Sequence, residues 1–203
     1  MALNWSIAAI AWAADEMRRD GLEHVHTEPV MVPRWVRGQE SAELVAPSRL
    51  PIVMLGLGNS VGTPAEGLEA DVLVVRSWTE LEAAGPRVRG HIVLFNVPFT
   101  DYGASRPYRS DGPSRAARLG AVATLVRSVG PDGLRLPHTG AMQYADDAPR
   151  IPAAAIASED ADRLQRLSDR GERIVVRLRM DAHAASAVPS FNVVGEEIGR
   201  AHV

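Results

Sequence analysis

At 203 residues and 21.9 kDa the chain is long enough for one sizeable domain, or for one domain with pieces of a second. With 46% apolar and 23% charged residues it falls among globular rather than disordered or fibrous proteins, and a net charge of −3 with no basic run excludes the electrostatic footprint of a nucleic-acid binder. The absence of cysteine excludes a disulfide framework, a thiolate zinc site and a cysteine nucleophile; that every basic residue is arginine carries no functional weight.

The opening MALNWSIAAIAWAADEMRRDG lacks the charged leader of a signal peptide and reads as an amphipathic helix, with Ile7, Ile10, Ala14 and Met17 on one face, Asn4 capping the start and Gly21 the end. HVHTEPVMVPRWVRG, broken by Pro29 and Pro33, predicts an irregular or edge strand, and SAELVAP a short one. PIVMLGLG and ADVLVVRS predict buried strands joined by a turn-rich segment, TELEAA a helical turn, and RGHIVLFNVPF the strongest strand of the chain. Residues 101–111 read as an exposed polar loop with Tyr102, Arg106, Tyr108 and Arg109 interleaved.

SDGPSRAARLGA then predicts a helix opened by Pro113 and closed by Gly120, followed by the buried strand AVATLVRSV and the long loop GPDGLRLPHTGAMQYADDAPR. Strand IPAAAI, a helix from SEDADRLQRLSDRG with an acidic cap over Ser158 to Asp160, and strand RIVVRLRM complete the regular elements. MDAHAASAVPS reads as a small-residue linker. No apolar stretch is long enough to span a membrane. Strands outnumber helices, and the helices are widely separated, which predicts an α+β fold with helices at the edges of a mixed sheet or barrel.

The G-x-S-x-G string around Ser60 has the form of a hydrolase nucleophile elbow, but no helix of useful length follows to aim N–H groups at an oxyanion, so a Gly-rich turn fits better. The same stretch fails the dinucleotide fingerprint, whose third glycine would fall on Val61. His24 and His26 lie two apart on a strand, a chelating spacing with no acidic cluster to support it. His138, in the LPHTG part of the longest loop, is a candidate for contact with a ligand or a partner domain but has no local catalytic partner.

The order of these features resembles the protease-associated (PA) domain. More narrowly, VHTEPVMVPRWVRG, LGLGNSVGTP, YGASRPYR, LVRSVGP, PHTGAMQY and FNVVGE are similar to the carboxypeptidase Q (plasma glutamate carboxypeptidase) family, from about Asn4 to Glu196. The resemblance implies a PA-type mixed sheet or barrel inserted in an incomplete α/β zinc-peptidase domain. Residues 1–46 would begin the peptidase domain, 47–182 form the PA insert, 183–196 link back through a returning strand, and 197–203, which depart from the family pattern, form a non-native tail.

It further implies a secreted or periplasmic parent that hydrolyses terminal peptide bonds of small peptides with two zinc ions. The parent would form a homodimer and hold the peptidase domain in cis as the partner of this part. In the family the zinc ligands follow the returning strand and begin with an H-x-D string, which this chain lacks, so it is expected to contain neither catalytic nor metal-ligating residues and to be inactive alone. The implied role is to shape the substrate cleft, with Tyr102, Arg106, Tyr108, Arg109, His138 and Thr139 as cleft candidates and Arg106 or Arg109 facing a substrate carboxylate. The alternatives are a free-standing PA-type interaction module and a serine hydrolase using Ser60.

Overall fold

A computed structural model describes residues 2–197 and Gly199; the tail expected over 197–203 lies largely outside the described residues. The chain divides into two compact units, Met1–Arg34 with Ala185–Val203, and Trp35–Ala184.

In the first unit, α1 (Ala2–Arg19) starts ahead of Asn4, which therefore lies within the helix rather than capping it. The end is as expected: Gly21 N–H bonds Arg18 O and Leu22 N–H bonds Met17 O, the paired bonds of a Schellman termination. Along the expected apolar face Ala14 is buried, Ile10 and Met17 are half-buried and Ile7 is exposed. β1 (Glu23–Val36) pairs with the last strand of the chain as a two-stranded sheet, where both strands are edges and prolines 29 and 33 cost no interior ladder bond.

The second unit carries β2 (Glu40–Ala46), β3 (Leu50–Ile52), β4 (Met54–Gly56), β5 (Leu68–Val75), α2 (Trp78–Ala84), β6 (Ile92–Phe95), α3 (Tyr102–Ser110), α4 (Gly112–Arg118), β7 (Ala123–Arg127), β8 (Ala153–Ile156), α5 (Ser158–Asp169) and β9 (Val175–Met180). Its strands form one eight-stranded sheet in the order β3-β2-β9-β5-β6-β7-β8-β4. β5 to β8 run parallel, and the remaining pairs are antiparallel. Because β3 and β4, at the two ends of that order, are neighbours in the chain, the sheet curls until it is nearly closed. The result is the mixed α+β architecture with peripheral helices. This compact unit begins at Trp35 and includes β2 as an interior strand between β3 and β9.

Period-two alternation splits the core into two layers. Ile92 and Leu94 of β6 face a cluster with Leu125, Ile156, Leu164 and Leu178, while Val93 and Phe95 face one with Leu81, Ala116, Val126 and Ala155. A strand buried on both faces has no polar positions, which is why IVLF is continuously apolar.

Three expectations are corrected. Residues 101–111 are not an exposed loop: α3 forms because the Asp101 carboxylate accepts from Ala104 N–H at 2.9 Å, and because Tyr108 stacks on Trp78 with ring centroids 4.1 Å apart. The turn-forming Gly103, Ser105 and Pro107 gave no sign of it, although Pro107 removes one helical bond. The linker after residue 182 is a strand, β10 (His183–Glu196), whose pairing with β1 outweighs the weak strand preference of its alanines and serine. Asp160 does not cap α5; Ala157 occupies the cap position without a side-chain bond, and Asp160 turns inward.

Candidate functional site

The carboxyl ends of parallel strands are where α/β sheets collect their loops, and the candidate residues lie there. α3 follows β6, and the long 128–150 segment follows β7. The two come together at Gly140, whose backbone lies against the Arg109 guanidinium so closely that a Cβ there would stand 2.5 Å from Arg109 Cζ. Only glycine permits that approach.

The six residues fall into two classes. Tyr102, Arg106 and His138 are exposed, and the other three are wholly or partly enclosed. Arg109 is 5% exposed and runs back along its helix so that NH2 donates to Tyr102 Oη at 2.7 Å, with the guanidinium carbon 5.5 Å from the Tyr102 ring centre. Tyr108 is half-buried in the aromatic cluster with Trp78 and Phe95. Thr139 Oγ1 donates to Gly56 O at 3.0 Å. Arg109, Tyr108 and Thr139 thus hold the surface together, whereas Tyr102, Arg106 and His138 face outward from it.

The 137–142 stretch is tied to the chain just beyond β4 by a single parallel bridge, in which Gly58 N–H bonds Gly140 O and Met142 N–H bonds Gly58 O. Ser128 Oγ accepts from His138 N–H at 2.6 Å and donates to Leu136 O. Before it, Arg135 binds the buried Asp160 through Nε and NH2, and Arg127 reaches Asp132, Asp162 and Asn96 Oδ1. His138, Leu134, Leu136 and Pro131 border a recess of about 390 Å³. A larger hollow of about 600 Å³ lies over β9 and β5, away from these residues; Arg177 there pairs with Glu69 and Glu43, which marks a solvated ionic surface. The supporting residues Ser128, Gly56, Gly58, Arg135 and Asp160 were missed from sequence. The closely spaced glycines of LGLG were the one signal available.

Ser60 is not a nucleophile. It is 1% exposed, its hydroxyl donates to Val61 O and accepts from Ala153 N–H, and both roles are structural. The His24 and His26 pair does not chelate: His24 has φ 51, which breaks the alternation, and His26 Nδ1 lies 2.6 Å from His24 O. That carbonyl, with Glu28 beside Nε2, raises the His26 pKa from its usual value. Among the described residues no group of three or more His, Asp or Glu could hold a metal ion, so the residues present do not fit a zinc site.

Tyr144 closes the long loop against the Ser60 turn, donating to Ile151 O at 2.5 Å and accepting from Val61 N–H at 3.0 Å. Burial raises its phenol pKa. The folded state therefore disfavours ionisation, and this contribution is complete below the ordinary tyrosine pKa of about 10 and lost as pH rises through the raised value. Tyr144→Phe is expected to flatten the alkaline limb of the stability curve while lowering stability at neutral pH by about 1–2 kcal/mol. Urea titrations across pH check this, and an unchanged alkaline limb would refute it.

No protein-family model matches the chain. Carboxypeptidase Q of Bos taurus is 46% identical over 191 residues, covering 94% of this chain and 40% of that protein, and the Homo sapiens protein is 44% identical over the same length. The chain thus spans about 40% of the length of the curated relatives it matches. Among solved structures, a peptidase M28 precursor from Shewanella amazonensis aligns with a TM-score of 0.86 and 33% identity, over 93% of this chain and 44% of that one. A zinc aminopeptidase from Bacillus subtilis aligns at 0.62 with 18% identity, over 94% and 40%, a likeness of fold alone. No helix among the described residues is long and apolar enough to cross a membrane.

Proposed function

Taking the chain as a homologue of carboxypeptidase Q along 94% of its own length, we propose that it is part of a zinc-dependent exopeptidase acting on small peptides outside the cytoplasm. Within that enzyme, Trp35–Ala184 is a PA-type unit that roofs the substrate cleft, and the zinc ligands and general base come from the remainder of the longer protein. Zinc, where bound, would activate water and polarise the scissile carbonyl. The residues of this chain bind and orient substrate; no proton transfer is assigned to them.

The observation that supports this reading best is the convergence of α3 and the 137–140 segment at the carboxyl ends of β6 and β7, with Tyr102, Arg106 and His138 outward and a rigid frame behind them. In a full-length homologue carrying these residues, Arg106→Ala and His138→Ala are each expected to raise KM by about tenfold with kcat little changed, the signature of groups that bind substrate without joining the chemistry. Steady-state kinetics on dipeptides test this. Unchanged KM in both variants would remove the surface from the cleft.

A further inference from the structure

Tyr102, Arg106 and Arg109 stand at i, i+4 and i+7 and so share one face of α3. That face carries a buried charge without a counter-ion. Of the Arg109 nitrogens, NH2 is bonded to Tyr102 Oη, while Nε and NH1 are buried with no partner, and no carboxylate pairs with this guanidinium among the described residues. Ser105 Oγ, one turn earlier, is likewise buried and unpartnered. A buried cation with open hydrogen-bonding capacity is costly to keep, and the Gly140 backbone lies directly against it.

The consequence appears at Tyr102, which is 49% exposed. Its oxygen accepts from Arg109, so its own proton is free to be donated outward, and the cation behind strengthens that donor. We propose that this face of α3 is a carboxylate-recognition site, in which the Tyr102 hydroxyl and the exposed Arg106 guanidinium contact the two oxygens and Arg109 is the positioning residue that orients and polarises the phenol. A single negative charge suits it. The Asp101 carboxylate, held at the helix start by Ala104 N–H, opposes a dianion. The carboxylate is either the C-terminus of a peptide or a free small acid; the first identity rests on the cleft reading above, whereas the site itself belongs to this chain.

Titrating the isotope-labelled chain with acetate, diglycine and diglycine amide at fixed ionic strength, followed by NMR, separates these. Acetate and diglycine are expected to shift Tyr102, Arg106 and the Arg109 Nε–H resonance saturably, and the amide not to. Tyr102→Phe, which removes only the donor, is expected to weaken acetate binding about tenfold, and Arg109→Gln, which keeps a donor to the phenol but removes the charge, to weaken it similarly. Acetate binding without diglycine binding supports the site and counts against the peptide-cleft reading. No saturable shift with any carboxylate, or equal acetate affinity in both variants and the parent chain, overturns the proposal.

Discussion

Replacing Phe95 with alanine is expected to lower the stability of the Trp35–Ala184 unit by about 3–5 kcal/mol, the range for an aromatic removed from a packed core. Phe95 is fully buried at the end of β6 and meets Trp78 edge-on at 5.4 Å and Tyr108 at 5.9 Å. It also receives the first residue of α4, since a Cβ on Gly112 would lie 2.8 Å from its ring. One side chain therefore sets the positions of α2, α3 and α4 against the sheet. The expected urea midpoint falls with the slope unchanged, and the stack of Tyr108 on Trp78 should loosen, visible as increased quenching of tryptophan fluorescence. A loss below about 1 kcal/mol would mean that the three helices collapse into the space without help from the ring.

Asp160→Ala is expected to cost about 2 kcal/mol, because Val53 N–H loses its charged acceptor and Arg135 and Arg163, both still reached by water, lose their partner. The carboxylate is 1% exposed; it accepts from Val53 N–H at 2.9 Å and holds Arg135 through two bonds, with Arg163 at 3.2 Å. Asp160→Asn keeps an acceptor for Val53 and should cost less than half as much. The loss reaches the candidate site, since Arg135 is the anchor of the segment that carries His138. Hydrogen exchange should quicken across residues 132–140 in the alanine variant, with Ile92–Phe95 still protected. Equal protection in that segment for both proteins would show that the Ser128 and Gly56 bonds suffice to hold it.

Features that depend on local chemistry were legible in the order of residues alone. Continuous apolar runs marked β6 and β8, and a largely apolar run β7, as strands buried on both faces, Pro113 opened α4, and LPHTG was singled out because a loop so long is rarely idle. Short strings spread along the chain also pointed to carboxypeptidase Q, to which 191 residues of the chain are 44–46% identical in the Bos taurus and Homo sapiens proteins.

Which polar residues face water and which carry the frame was settled by tertiary packing. Arg106 and Arg109 are three positions apart and equally charged, yet one is exposed and the other lies beneath Gly140, because the approach of a segment some thirty residues away covers one and not the other. Asp160 looked like a helix cap and is an anchor, since Val53 and Arg135 reach it from distant parts of the chain. Ser60 had the spacing of a nucleophile and is a core hydroxyl because Ala153 comes to bond it. In each case the residue's role depends on a neighbour remote in sequence, and local periodicity and composition contain no information about that partner.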